Sequence, residues 1–322
     1  MDGRVPALAT SESPTTSLAK WRHEILAGLT SPQKRLSPKY LYDERGSELF
    51  DEICALPEYY ATRTEIGLLR TNGSDIAALV GPHAGVVELG AGSSLKARLL
   101  LGCLDQPALY LPVDISAAYL AQQAAAVAEA FPHVAVQPVF ADFTQPFPLP
   151  AALARRRALV FFPGSTIGNL SRVRAAALLA SLAQRIRRSG LLIGVDICKD
   201  PNVLRAAYND SRGVTAEFNL NLLARLNREL NAEFDLDAFE HRAVYDAPQA
   251  RIEMRLVSDR AQTVTVSGVP IRFLAGEYIV SEHSHKYDPL EFAELARTAG
   301  WQFERRWIDD DERFSIHYFR SQ

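Results

Sequence analysis

"GVVELGAGSS", residues 85–94, decides how the rest of the chain is read. Gly85 to Leu89 is apolar apart from Glu88 and reads as a buried strand. Gly90-Ala91-Gly92 then turns the chain, and a helix is expected over residues 94–103. Strand, glycine turn and helix in that order bring backbone N–H groups to a helix N-terminus, where a ligand approaches closely. The dinucleotide fingerprint is incomplete. Gly90 and Gly92 supply G-x-G, but the third glycine position holds Leu95, which is expected to hinder a pyrophosphate and close helix packing.

Outward from this turn the same rhythm repeats. "LYLPVDIS" is the next strand, with an alanine-rich helix over 116–130 after it. "VAVQPVF" is a third strand, followed by the loop "ADFTQPFPLP". "ALVFFPG" is a fourth, with a helix over 171–188, and "GLLIGVDI" is a fifth that ends near Asp196. Such βαβα alternation implies an α/β fold with a parallel, doubly wound sheet. The rhythm breaks near residue 200. Residues 200–230 read as helix and 240–282 as antiparallel strands. "DPLEFAELARTAG" is a helix with Asp288 as its cap, Pro289 in its first turn and Gly300 at its end. "WQFERRWIDDDERFSIHYFR" reads as a terminal hairpin. Upstream, 18–29 forms a short helix, and 40–80 carries two helical segments broken at Pro57. The expected division is a disordered tail over 1–17, a sheet domain over 61–199 plus 286–322, and an inserted α+β substrate-binding lobe over 18–60 plus 200–285.

Composition narrows the function. The 322 residues are 48% hydrophobic and 23% charged, as in globular enzymes. A net charge of −3 gives no electrostatic case for nucleic acid or an anionic membrane as partner. Cys54, Cys103 and Cys198 lie far apart, with neither zinc-ligand spacing nor a disulfide framework, which fits a reducing cytoplasm. The N-terminal residues lack the apolar segment of a signal, and no stretch approaches the roughly 20 apolar residues of a membrane span. A cytoplasmic monomer acting on a small molecule is expected.

Several polar residues cluster at the expected strand ends. Asp114 closes the second strand, 24 residues after Gly90, where a carboxylate accepts both ribose hydroxyl protons. Asp142-Phe143 follows the third strand, where a carboxylate takes an exocyclic amine and a ring covers adenine. With no P-loop lysine motif and no third glycine, an adenosine without a pyrophosphate is favoured, namely S-adenosylmethionine (SAM). The plain alternative is that Asp114 and Asp142 only cap the turns after them. "FFPGSTIGN", residues 161–169, spends two glycines, two hydroxyls and an amide on leaving a buried strand. It is either a tight turn with a helix N-cap or a rim where backbone approaches a small polar ligand.

"YLYDERGSELFDEICALPEYYATRTE", "VVELGAGSSLK", "PVDIS", "FFPGSTIGN" and "GEYIVSEHSHKY" together resemble one family. Nearly the whole chain after residue 36 is similar to the histidine-specific SAM-dependent methyltransferases, the L-histidine Nα-trimethylases of ergothioneine biosynthesis. The resemblance implies a Rossmann-like methyltransferase sheet with a second, substrate-binding lobe. It implies that Glu88, Gly90, Gly92, Lys96, Asp114, Asp142 and Phe143 bind SAM. Asn169 would hold the substrate's amino and carboxylate groups, with Gly164 nearby, and Tyr59 and Tyr208 would bind the carboxylate. Tyr42 would lie by the amine, making Tyr42 and Asn169 the catalytic pair. Glu282 and Ser284 would bind the imidazole, with Met254 beside it.

Each role has a plain counterpart. The tyrosines read as core-edge residues, Asn169 as a helix N-cap and Met254 as core. Strand alternation with Val280 reads Glu282 as solvent-facing. His283 and His285 lack a matching carboxylate motif, so no metal is expected. The rival functions are methylation of another amino acid or small amine, a nicotinamide-dependent oxidoreductase, and a non-catalytic SAM-binding protein.

Overall fold

The computed structural model describes residues 9–10 and 14–321. Of the tail expected over 1–17, residues 1–8 and 11–13 lie outside the described residues. Ala9–Thr10 forms a short strand, and the helix expected from residue 18 begins at Pro14. The chain divides into two compact units. Of the described residues, one comprises 9–10, 61–198 and 285–321, and the other 14–60 and 199–284.

In chain order the first unit contributes β1 (Ala9–Thr10), β2 (Gly85–Leu89), β3 (Leu109–Asp114), β4 (Ala135–Val136), β5 (Val139–Phe140), β6 (Ala158–Phe162) and β7 (Ser189–Asp196). The second unit holds β8 (Phe239–Asp246), β9 (Arg251–Ser258), β10 (Gln262–Val266), β11 (Val269–Phe273) and β12 (Tyr278–His285). The chain then returns to the first unit with β13 (Trp301–Ile308) and β14 (Phe314–Ser321). The first unit is one mixed sheet in the order β1-β5-β3-β2-β6-β7-β14-β13, with β4 beside β3. Its β1 to β7 pairings are parallel, and the terminal hairpin adds antiparallel on β7. The α/β reading therefore holds.

The parallel strands are buried on both faces, which is why β2, β6 and β7 are almost unbroken apolar runs. Val87, Leu111, Val160 and Ile193 share a core with Leu179 and Leu182 of the helix Arg172–Arg185 and Phe292 of the helix Pro289–Thr298. Trp301 closes this layer, its Nε1–H donating to the Leu179 carbonyl at 2.8 Å.

The topology singles out one place. From β2 the chain moves to β3 on one side, and from β6 to β7 on the other, while β2 and β6 pair directly, with Glu88 opposite Phe161. This is the switch point of a doubly wound sheet, and its crevice lies beyond the strands' carboxyl ends. The turns after β2 and β6 are the two singled out in the sequence.

Three local expectations need correction. "VAVQPVF" is two short strands, because Pro138 offers no N–H to a ladder. Residues 40–80 hold three helices, Glu44–Cys54, Tyr60–Thr71 and Gly73–Val80. Residues 200–230 form two, Pro201–Tyr208 and Val214–Leu230. At that break Gly213 takes a φ of +76°, and the Asp210 carboxylate accepts from Val214 N–H (2.9 Å) and Thr215 N–H (2.7 Å), starting the second helix. Among the described residues no helix is long and apolar enough to cross a membrane.

Candidate active site

In the first unit, Glu88 points from β2 into a buried environment and accepts a hydrogen bond from the Tyr110 hydroxyl on β3. Burial pushes its carboxyl up to about 8, against the Tyr110 hydrogen bond and the Lys96 charge; Asp114 and Glu65 add to the upward push. Glu88, Lys96 and Asp114 thus share one electrostatic neighbourhood. After Glu88 the chain turns at Gly90, whose φ is +68°. A Cβ on Gly90 would stand 3.5 Å from the Phe143 ring, and one on Gly92 would meet nothing within 4 Å. The second glycine therefore leaves open space beside a turn covered by an aromatic ring, and that ring is braced edge-on against Phe162 at 5.4 Å. Leu95, at the third position of the incomplete glycine fingerprint, is 46% exposed.

The two aspartates occupy the strand ends and also serve their own turns. Asp114 Oδ1 accepts from Ser116 N–H at 2.9 Å, and burial lifts its carboxyl to about 6. Asp142 Oδ1 accepts from Thr144 N–H at 3.0 Å and from the Thr144 hydroxyl at 2.5 Å. Lys96, in the first turn of the helix Leu95–Cys103, forms an ion pair with buried Glu65 at 2.6 Å. Glu65 was not singled out in the sequence. Only its place in a distinctive stretch, "YYATRTE", hinted at it.

The turn after β6 accounts for almost all of its unusual residues. Gly164 has a φ of +77° and donates its N–H to Glu65. Ser165, at φ +54°, accepts from Asp196 N–H at 2.9 Å, and the Thr166 hydroxyl donates to the Pro163 carbonyl at 3.0 Å. Gly168 is required by close approach, since a Cβ there would stand 2.7 Å from the His285 carbonyl oxygen. Asn169 ends a 3-10 turn and is half-buried. It is not the helix cap. Ser171 is, its hydroxyl accepting from Arg174 N–H at 3.4 Å. At the end of β7, Asp196 pairs with the fully buried Lys286 at 2.7 Å.

The second unit gathers the other expected residues. Asp43 caps the helix Glu44–Cys54 by accepting from Gly46 N–H at 2.8 Å, which sets Tyr42 just before the helix. The Tyr42 ring lies 5.5 Å from Phe50, Phe50 lies 6.1 Å from Tyr59, and Tyr59 lies 6.2 Å from Tyr208, all edge-to-face. Burial drives the Tyr59 hydroxyl well above its ordinary range, and Tyr208, Cys54, Tyr42 and Glu282 push the same way. Tyr59 therefore stays a neutral donor. The Tyr208 hydroxyl donates to Ser284 Oγ at 2.7 Å. Glu282 is 7% exposed, which corrects the solvent-facing reading drawn from alternation. Met254 is buried, and its carbonyl accepts from the Ser281 hydroxyl at 3.1 Å.

Sequence reading missed the residues that hold Tyr208. His241 Nε2 lies 2.8 Å from the Tyr208 carbonyl, so it carries the proton and donates there. Nδ1 then accepts from the Asn219 amide at 2.9 Å. Burial lowers the His241 pKa and favours this neutral form. Asn209 adds reciprocal hydrogen bonds to Ala243. His283 Nε2 lies 3.3 Å from Glu253, and among the described residues no His, Cys, Asp and Glu cluster is able to hold a metal.

Comparison with known proteins bears on the family of the whole chain. Residues 21–321 match the family described as "Histidine-specific methyltransferase, SAM-dependent". The chain belongs to this family. Among curated members it is 42% identical over 302 residues to a histidine N-alpha-methyltransferase of Mycolicibacterium smegmatis, covering 92% of this chain and 93% of that one. A protein of the same name from Mycobacterium tuberculosis is 39% identical over 92% and 93% of the two chains. "Ergothioneine biosynthesis protein 1" of Neurospora crassa is 31% identical over 88% of this chain, which spans 33% of that longer protein.

Proposed function

We propose that this methyltransferase transfers three methyl groups in succession from SAM to the α-nitrogen of L-histidine. The product is Nα,Nα,Nα-trimethyl-L-histidine (hercynine), and the reaction is the first step of ergothioneine biosynthesis. The observation that carries the substrate reading is the burial of Glu282 in the surroundings of Tyr59, on the strand whose Ser284 is bonded to Tyr208. A buried carboxylate favours a ligand that brings N–H donors, and an imidazole does so where an apolar side chain does not.

SAM would supply an activated methyl on a sulfonium: the nitrogen lone pair attacks the methyl carbon in line, the C–S bond breaks with its electrons leaving on sulfur as S-adenosylhomocysteine, and the nitrogen sheds a proton to solvent before each of the next two transfers. The residues of the first unit fit such a donor. Glu88, protonated in the protein alone, would give up its proton beside the donor's ammonium, whose charge favours the carboxylate; Asp114 is an acceptor for ribose hydroxyls, and Gly92 leaves room for close approach. Phe143 offers a ring and Asp142 an acceptor to adenine.

On the substrate side, Tyr59 donates to the carboxylate; Tyr208 does so by turning its single O–H from Ser284 to the substrate, which leaves Ser284 with Glu282 to engage the imidazole. Met254 packs beside it. Asn169 and Tyr42 orient the nitrogen, and the Gly164 turn shapes the rim. The attacking amine must be neutral, because an ammonium has no lone pair. Exclusion of water and the adjacent positive charge both lower its pKa. Orientation at about 3 Å from the methyl supplies much of the acceleration. The aromatic rings of Tyr42, Phe50 and Tyr59 suit the cation that forms as methyls accumulate.

Mass spectrometry of the purified protein with SAM and an equimolar mixture of the twenty amino acids tests the reading. A histidine species gaining three methyls is expected. Methylation of a different amino acid sinks the imidazole assignment, and SAM binding without turnover sinks the catalytic one.

A further inference from the structure

Glu65 lies on the helix Tyr60–Thr71 and is 1% exposed. Its Oε2 accepts from Lys96 Nζ at 2.6 Å and from Gly164 N–H at 2.9 Å, and Oε1 lies 3.1 Å from the same N–H. The strand beneath makes room for it. A Cβ on Gly194 of β7 would stand 2.1 Å from Oε1. Three segments distant in sequence therefore meet on one carboxylate: a helix, the first turn after the β2 glycines, and the turn after β6.

Each partner needs holding. A lysine side chain has four rotatable bonds, and its ordering costs entropy unless something else fixes it. The turn places Gly164 and Ser165 in succession in the left-handed region, and for a serine that conformation is strained. Glu65 holds the first of these residues, as Asp196 N–H holds the second through the Ser165 hydroxyl. A carboxylate this buried in turn requires the Lys96 charge.

We propose that Glu65 is a positioning residue for methyl-donor binding, fixing the Lys96 ammonium and the Gly164 amide at the switch point between β2 and β6. The proposal rests on the reading of Lys96 as a donor-site residue. Glu65 does not itself touch the donor. It acts by pre-organising two groups, so its loss weakens donor binding more than it slows the chemical step.

Steady-state kinetics on a small set of variants tests this. Glu65→Ala is expected to raise KM for SAM about thirtyfold while kcat falls less than about fivefold. Glu65→Gln keeps an acceptor oxygen in the same space and is expected to raise KM only about fivefold. Gly194→Ala drives a methyl into the carboxylate and is expected to reproduce Glu65→Ala. Combined with Lys96→Met, Glu65→Ala is expected to add less than about a further twofold. Should Glu65→Ala fail to fold, Glu65→Gln, alone and combined with Lys96→Met, carries the same test. The proposal is overturned if the Glu65 variants raise KM by the same factor with and without Lys96→Met. It is equally overturned if they lower the melting temperature and leave KM for SAM unchanged while Lys96→Met raises it. If Lys96→Met itself leaves KM for SAM unchanged, the donor-site reading of Lys96 fails, and this proposal with it.

Discussion

The polar residues at the strand ends of the first unit are tied to their own backbone, whereas those of the second unit are set into a wall of rings. Asp114, Asp142 and Thr166 each satisfy a nearby turn, Ser165 accepts from the Asp196 N–H at the end of β7, and Lys96 is bound to Glu65. Tyr42 is instead linked edge-on to Tyr59 through Phe50, and Tyr59 stands edge-on to Tyr208, to which Ser284 is bonded. The first arrangement is rigid and general. It suits a donor whose shape is the same whatever is methylated. The second places a few donors and acceptors where water is scarce, and there discrimination between acceptors is strongest.

The largest effect expected from this contrast concerns Glu282. Glu282→Ala should lower kcat/KM for histidine about a thousandfold while changing that for phenylalanine less than about tenfold, because only the former loses a buried partner. Competition kinetics with both amino acids reads this out. Equal discrimination in mutant and wild type would break the assignment of selectivity to the second unit.

A substitution in the first unit should act on folding rather than selectivity. Gly168 has no room for a side chain, because the obstruction is the His285 backbone and not a movable side chain. Gly168→Ala is expected to cost about 3 kcal/mol of stability in urea unfolding, with histidine-to-phenylalanine discrimination unchanged in the protein that remains folded.

These two sites also mark how far the sequence could be read. The βαβα rhythm, the terminal hairpin and the glycine turn were legible, because each depends on local periodicity and turn chemistry. The split at residues 209–213 carried its signal, an Asp and a Gly in "NDSRG", yet was hidden within a continuous helical pattern. Glu282 was misplaced by alternation alone, since period-two reasoning assumes that one face of a strand meets water. Gly168, Glu65 and His241 could not be found by any local rule. Their partners are His285, Lys96 with Gly164, and Tyr208, all brought near by the fold.

The buried carboxylate of the first unit predicts a pH effect of intermediate size. Folding raises the Glu88 pKa from about 4.5 to about 8, so the folded state holds its proton where the unfolded state has lost it. Stability from this group is full below about pH 4.5 and is lost as pH rises towards about 8. Glu88→Gln keeps an acceptor for Tyr110 but cannot ionise. Between pH 5 and 7 it should therefore lose less stability than the wild type, by on the order of 2 kcal/mol. Urea midpoints at several pH values measure this, and parallel pH profiles would show that Glu88 is ionised in the folded protein.

The smallest effect separates Asn169, read from the sequence as an N-cap, from Ser171, which is the cap. Asn169 and Ser171 both precede the helix Arg172–Arg185, and either has the chemistry of an N-cap. The cap is Ser171, through a long 3.4 Å hydrogen bond, so Ser171→Ala should cost only about 0.5 kcal/mol of stability and leave kcat/KM for histidine unchanged. Asn169→Ala should do the reverse, leaving stability nearly intact and removing most of the activity. If Ser171→Ala lowers activity while Asn169→Ala lowers only stability, the two roles are exchanged. The turn after β6 would then be a helix start and no more, and the amino group of the substrate would have to be held elsewhere.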